Sequence, residues 1–237
     1  MDLNYLIDQF KKLEMEISEK QIDQLVKYYN MLVEKNKVMN LTAITEWKDV
    51  VLKHFVDSAA VGKHIELTTQ SIADIGTGAG FPGIPLKILY PDTTVLLVDS
   101  LNKRVKFLNE VIEELGIQKI EAVHGRAEEI GHNPLYREQF DLCVSRAVAN
   151  LSTLSEYCLP VVKTGGYFIS YKSGNIQEEE QNAKGAVFKL GGKIDRVDTF
   201  TLPDSDIERS FVFIAKKSKT SKKYPRTAGK PSKEPLS

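Results

Sequence analysis

From residue 71 onward the chain alternates short apolar runs with segments of helical spacing, and that alternation is the tightest constraint on its fold. The runs are SIADI (71 to 75), TVLLVD (94 to 99), IEAVHG (120 to 125), FDLCVSR (140 to 146) and GYFISYK (166 to 172). Helical patterns separate several of them. The clearest is KRVKFLNEVIEELG, where Val105, Leu108, Ile112 and Leu115 share a face and Gly116 is a natural C-terminal cap. Strand, helix, strand in repetition calls for a parallel sheet with helices on both faces. The last two runs, KIDRVDTFTL and RSFVFIAKK, are joined only by the turn-like PDSDIE. Without room for a crossover helix they must be antiparallel neighbours.

The first 65 residues read differently. Leu3, Leu6, Ile7, Phe10 and Leu13 fall at helical spacing. Ser18 with Gln21 forms a capping box for a second helix, with Ile22, Leu25, Val26, Tyr29, Leu32 and Val33 on one face. A third helix is expected from near Thr45 through WKDVVLKHFVDSAAV, in which Trp47 reads as a packing residue. The organisation expected is therefore a helical extension (1 to 65), an α/β domain (66 to 217) and a basic tail (218 to 237), forming one compact unit.

Composition narrows the class. No run of about 18 apolar residues occurs, which excludes a helical membrane span, and the N-terminus lacks the pattern of a signal peptide. A cytoplasmic protein is expected. Cys143 and Cys158 stand in apolar runs with no C-x-x-C pair or His cluster, so both read as reduced core residues and no metal is expected. The chain has 32 basic and 32 acidic residues, yet residues 216 to 237 carry eight Lys/Arg against one Glu, a net +7. That leaves 24 bases and 31 acids, or −7, on the rest. A basic end on an acidic body has two readings, a solvated disordered tail or contact with an anionic partner, nucleic acid first.

ADIGTGAGFPGIP (73 to 85) carries the chemistry. It places glycines at the carboxyl end of the first strand, where open α/β sheets bind ligands and where bare backbone lets a ligand approach. Pro82 and Pro85 suit the first turn of the helix that follows. Gly78, Gly80 and Gly83 spell the dinucleotide fingerprint, with Asp99 placed to take a ribose hydroxyl. The competing reading is an S-adenosylmethionine loop, in which Asp74 precedes Gly76, Gly78 and Gly80 and Asp99 accepts both ribose hydroxyls. The antiparallel pair closing the sheet favours the second, because a dinucleotide domain usually continues into another mononucleotide half. The Gly-Gly turn in PVVKTGGYFISYK points the same way.

Several stretches together resemble one family: NLTAI (40 to 44), HFVDS (54 to 58), DIGTGAGFPGIPL (74 to 86), LVDSLNKRVKFL (97 to 108), GRAEE (125 to 129), SRAVANL (145 to 151) and YPRTAGKPSKEPL (224 to 236). They look like the bacterial ribosomal RNA small subunit methyltransferase G family, also called glucose-inhibited division protein B, over nearly the whole chain. The resemblance implies a class I S-adenosylmethionine-dependent methyltransferase fold: a seven-stranded, mostly parallel, doubly wound α/β sheet with an antiparallel last strand. It also implies methylation of N7 of one guanosine in the 530 loop of 16S rRNA, with 16S rRNA or the small ribosomal subunit as partner. The enzyme is expected to act as a monomer.

Carried over by the same resemblance, Gly76, Gly78 and Phe81 hold the methionine and nucleoside moieties, and Asp99, with Ser100 beside it, binds the ribose. Ala127 and Glu128 flank the adenine, with Glu129 an alternative, and Arg146 stands beside cofactor and target base. Guanine N7 offers an unprotonated lone pair, so in-line methyl transfer needs no general base, and catalysis should be proximity and alignment. His54 and Asp57, three apart, share a helical face and read either as a structural pair or as lining the mouth of the site. Lys103 and Arg104 read as a solvated basic turn or as RNA contacts. Lys222, Lys223, Tyr224, Arg226, Lys230 and Lys233 suit an extended segment that touches RNA phosphates and stacks a base. The alternatives to this function are a nicotinamide-dependent dehydrogenase and a non-catalytic regulator that binds S-adenosylmethionine and RNA.

Overall fold

The five apolar runs become strands at the expected places, followed by the antiparallel pair. In the computed structural model, which describes residues 1 to 146 and 149 to 237, the strands are β1 (Ser71–Ile75), β2 (Thr94–Asp99), β3 (Ile120–His124), β4 (Phe140–Arg146), β5 (Val162–Ser173), β6 (Gly192–Thr201) and β7 (Glu208–Lys216). They form one seven-stranded sheet in the order β3-β2-β1-β4-β5-β7-β6. All neighbours are parallel except β7, which runs antiparallel to both β5 and β6. The order reverses at β1, which pairs with β2 on one side and β4 on the other, so the crevice for a ligand opens there.

The helices are α1 (Leu3–Lys12), α2 (Glu19–Met39), α3 (Trp47–Val50), α4 (Asp57–Ala59), α5 (Gly83–Leu89), α6 (Asn102–Leu115), α7 (Ala127–His132), α8 (Leu151–Cys158), α9 (Gln177–Lys189) and α10 (Lys230–Lys233). Alternate strand residues feed two cores. Ile72, Leu97, Val144 and Phe213 pack with α1, α2, α5 and α6 on one face of the sheet. Ala73, Val98, Cys143 and Ile214 pack with α8 and α9 on the other. Cys143 and Cys158 are buried free thiols.

The N-terminal helices are tied to the ends of the sheet helices by polar side chains. The capping box at the start of α2 forms, with Gln21 Oε1 accepting from Ser18 N at 2.9 Å. The same Gln21 amide donates to the carbonyls of Ile88 and Leu89 at the end of α5. Gln24 donates to the Leu115 carbonyl at 2.9 Å, closing the end of α6. Gly116 then takes the left-handed conformation, φ +58°, as the sequence predicts.

Two expectations change. The third helix is interrupted: between α3 and α4 the backbone widens into a π-helical segment (Val51–Val56), and after α4 it tightens into a 3-10 turn (Ala60–Lys63). Apolar spacing cannot reveal such a segment, because Val51, Phe55 and Val56 are buried under either winding. The tail is not extended. Residues 217 to 237 fold back on the sheet face that carries α8 and α9, with Thr220, Tyr224 and Pro231 buried. Ala147 and Val148 of the SRAVANL stretch lie outside the described residues. Among the described residues no helix is long and apolar enough to cross a membrane, and no cluster of His, Cys, Asp or Glu could hold a metal ion.

Tyr28 of α2 is fully buried, and its hydroxyl donates to the Ala79 carbonyl of the glycine loop at 2.6 Å. Tyr28→Phe keeps the ring and leaves that carbonyl without its buried donor. The expected cost is about 1 to 2 kcal/mol in urea unfolding with an unchanged m-value.

Candidate active site

At the carboxyl ends of β1, β2 and β4 the surface opens into a cleft of about 1150 Å³. Its floor is the loop after β1. The N–H groups of Gly76 and Thr77 both donate to the Val98 carbonyl of β2, at 2.9 and 3.0 Å, which turns the chain sharply. Gly76 and Gly78 have φ of +75° and +63°, a region costly for any residue with a Cβ. A Cβ on Gly78 would meet nothing within 4 Å, so at that point bare backbone faces open space.

Asp99, 3% exposed, ends β2 beside the loop. Its Oδ2 accepts from Gly78 N at 3.0 Å and its Oδ1 from Leu101 N at 2.8 Å. Arg104 Nη1 stands 3.4 Å from Oδ2. Three donors fix the carboxylate, which still keeps acceptor capacity on both oxygens for a pair of hydroxyls. Ser100, Ala127 and Glu128 line the same end of the cleft. Glu129 does not: its carboxylate accepts from Arg126 N at 3.2 Å and caps its own helix.

Two of the expected loop contacts stand behind the loop instead of in the cleft. Asp74 is fully buried, and its Oδ2 accepts from Thr77 Oγ1 at 2.7 Å and from Gly83 N at 2.8 Å. It thereby supports the turn and caps α5. Its Oδ1 has no partner among the described residues, and burial pushes the carboxyl up to about 6. Gly80 faces Ile84 and Tyr28, where an added Cβ would come within 2.5 and 2.7 Å of side-chain atoms. Asp74 and Gly80 thus support the loop from behind.

The opposite wall joins two of the quoted stretches. His54 stacks on Phe81, with centroids 4.3 Å apart and planes at 21°. Its Nε2 lies 3.0 Å from Thr42 Oγ1 of the NLTAI stretch. On the other side, His54 Nδ1 faces the Lys53 carbonyl at 3.1 Å and Arg146 Nη2 at 3.3 Å. Arg146 ends β4 and also donates through Nη1 to the Lys53 carbonyl at 3.3 Å and to Asp57 Oδ2 at 3.2 Å. The guanidinium lies 5.2 Å from the centroid of the Phe81 ring. Asp57, 3% exposed, completes the group by accepting from Arg209 Nε of β7 at 3.1 Å. His54 and Asp57 are therefore brought together around Arg146, and their polar atoms are engaged by protein neighbours.

The residues expected at RNA divide. Lys103, Lys222, Lys223, Lys230 and Lys233 are exposed. Arg104 turns inward to Asp99. Tyr224 is 7% exposed, and Arg226 forms a bidentate pair with buried Glu156, so both take packing roles in place of an open RNA surface. Sequence reasoning missed Thr42, Arg126, Lys172, Glu179, Arg209 and Gly229 as cleft residues. Thr42 and Arg126 stand inside quoted stretches, whereas Arg209 gave no signal beyond a charge at a strand start.

Burial and the Arg146 charge together hold the His54 imidazole down, to about 3. The folded state refuses a proton that an unfolded chain accepts below about 6.5, so stability is lost as pH falls from that value toward 3. His54→Gln removes this contribution. The difference in unfolding free energy between wild type and H54Q should fall by about 1.4 kcal/mol per pH unit between about pH 6 and pH 4, measured by urea titrations.

The whole chain has relatives that share this arrangement of sequence. The family model for rRNA small subunit methyltransferase G matches residues 21 to 208. Ribosomal RNA small subunit methyltransferase G of Lachnoclostridium phytofermentans is 52% identical over 236 residues, covering 99% of this chain and 98% of that protein. The protein of the same name from Staphylococcus epidermidis is 49% identical over 237 residues, covering 100% and 99%. Among solved structures, M. jannaschii TYW2 in complex with AdoMet superposes with a TM-score of 0.57 at 12% identity, covering 73% of this chain and 79% of that one. The YcgJ protein of Bacillus subtilis gives 0.54 at 15% identity, covering 70% and 100%. These structures share the fold, the class I methyltransferase sheet, and the nicotinamide-dehydrogenase alternative fits neither its antiparallel edge nor the relatives. With a family model spanning most of the sequence and relatives near 50% identity end to end, the chain belongs to the ribosomal RNA small subunit methyltransferase G family.

Proposed function

We propose that the protein methylates N7 of a guanosine in the 530 loop of 16S rRNA with S-adenosylmethionine as donor, acting in the cytoplasm as a monomer. The observation that carries this reading is the convergence of the glycine loop, the fixed Asp99 carboxylate and Arg146 on one cleft at the switch point of the sheet. The residues present fit the cofactor: an oriented carboxylate for two ribose hydroxyls, and a loop whose backbone is bare at Gly78. When bound, S-adenosylmethionine supplies a methyl group on a sulfonium, which leaves as a neutral thioether.

The rest is positioning by this chain. Asp99 takes the ribose hydroxyls, Ala127 and Glu128 flank the adenine, and the loop from Gly76 to Phe81 carries the methionine end. Arg146, braced by Asp57 and the Lys53 carbonyl, presents its remaining N–H groups to the O6 edge or a phosphate of the target guanosine. No side chain need take a proton, since N7 carries none. Burial and the Arg146 charge leave His54 neutral and only weakly basic, in keeping with a transfer that asks for no base. Alignment of this kind is worth up to about 7 to 11 kcal/mol.

The test is methyl transfer from labelled S-adenosylmethionine to 30S particles lacking the modification, with naked 16S rRNA alongside and the labelled nucleotide mapped. Label at N7 of one guanosine in the 530 loop is expected. Cofactor and RNA binding without transfer would support a regulator instead. Arg146→Lys keeps the charge and loses the fork, and should lower the transfer rate by about 100-fold.

The exposed lysines of the C-terminal segment, with Lys103, are proposed to contact RNA phosphates. Replacing Lys222, Lys223, Lys230 and Lys233 together with Gln should weaken RNA binding. It should also flatten the slope of log affinity against log salt, by about 0.7 to 0.9 for each phosphate that is no longer neutralised. An unchanged slope would remove the segment from the RNA interface.

A further inference from the structure

The C-terminal segment touches the cleft from inside while carrying its lysines outside. Arg226 clamps Glu156 of α8 through Nη2 to Oε2 at 2.7 Å and Nε to Oε1 at 3.0 Å, and the Arg226 backbone N–H reaches the same Oε1 at 2.7 Å. Glu156 has no exposed surface, so its charge is met by a residue of the strap. Three residues on, Gly229 turns at φ +81°, and its N–H donates to Glu128 Oε1 at 2.8 Å. The Thr153 hydroxyl holds the Pro231 carbonyl at 3.0 Å. Gly229 and Ser232 thereby become part of the cleft wall, next to Glu128 and Tyr157. Lys222, Lys223, Lys230 and Lys233 lie on the same segment, exposed.

We propose that residues 222 to 237 are a strap that couples the two substrates: its inner edge walls the adenine end of the cofactor cleft and orients Glu128, and RNA phosphates that fix its outer edge tighten cofactor binding. The proposal rests on the reading of this cleft as the S-adenosylmethionine site. Among the described residues Glu128 is held by one side-chain hydrogen bond, from a glycine, the residue type with most backbone freedom to lose. Whatever fixes the strap therefore fixes Glu128 in the bound arrangement, and by linkage a cofactor that needs Glu128 in place fixes the strap for RNA. A tail that served only to touch RNA would have no reason to answer to the cofactor.

The native protein offers the first measurement. Trypsin cuts after Arg226, which Glu156 clamps, only when the strap leaves the body, and saturating S-adenosylhomocysteine should slow that cut about tenfold. In calorimetry, 16S rRNA should tighten S-adenosylhomocysteine binding by about fivefold or more. Arg226→Gln should weaken the cofactor by about tenfold and abolish the RNA effect. The double variant E156Q/R226Q, which leaves no unpaired buried carboxylate, should behave alike while keeping the wild-type circular dichroism spectrum. Equal cleavage rates with and without S-adenosylhomocysteine overturn the proposal. So does wild-type cofactor affinity in both variants. If the wild-type protein bound no S-adenosylhomocysteine at all, the cofactor reading would fall first and the strap coupling with it.

Discussion

A single carboxylate, Asp57, holds the site together. It is 3% exposed and accepts from two arginines, Arg146 at the end of β4 and Arg209 at the start of β7. These come from the N-terminal helical segment, the middle of the parallel sheet and its antiparallel edge, so three parts of the chain meet on two oxygens. A buried charge is tolerable only when paired and hydrogen-bonded, and removing one partner from such a group typically costs about 3 to 5 kcal/mol. The consequence reaches His54, which burial first and the Arg146 charge second keep unprotonated.

The loop is stiffened in the same manner from behind. Asp74 caps α5 and ties Thr77, while Tyr28 reaches across from α2 to the Ala79 carbonyl. Gly83 allows the helix to pack that tightly: an added Cβ would sit 2.3 Å from Leu97 Cδ2 and 2.8 Å from Asp74 Oδ2. The helical extension is thus a working part of the site, because the loop it braces carries Gly78 and Phe81.

What the sequence made legible was whatever repeats locally. Strand runs declare themselves by apolar content over five to seven residues, and SIADI, TVLLVD and FDLCVSR coincide with β1, β2 and β4. Caps are equally local, as Ser18 with Gln21 and Gly116 show. The antiparallel edge followed from a connection too short for a helix. The misses are side-chain pairs made by tertiary folding. Glu156 lies in the apolar LSEYCLP and meets Arg226 from 70 residues away, and no periodicity encodes that meeting. The basic composition of the tail fits its exposed lysines, but it grouped Tyr224 and Arg226 with them, whereas with Gly229 these hold the inner edge. The π-helical segment stayed hidden because the apolar pattern records which residues are buried and not how the turn is wound; the Lys53 carbonyl that Arg146 meets lies within it.

The charge distribution resolves an apparent conflict between a neutral chain and a polyanionic substrate. Residues outside the last 22 sum to −7, which alone would repel RNA. The field at the cleft mouth is set by nearer charges, since separations beyond about 8 to 10 Å are screened at physiological salt. Lys53, Arg104, Arg126, Arg146, Lys172 and Arg209 line the cleft against Asp57, Asp99, Glu128 and Glu179. Those acids are engaged by Arg146 and Arg209, by Arg104, by the Gly229 N–H and by Lys172 respectively. Folding then brings the strap, the most basic part of the sequence, against the same opening. Of the strap itself Gly229 and Ser232 reach the cleft wall, and its lysines stay exposed on the same segment.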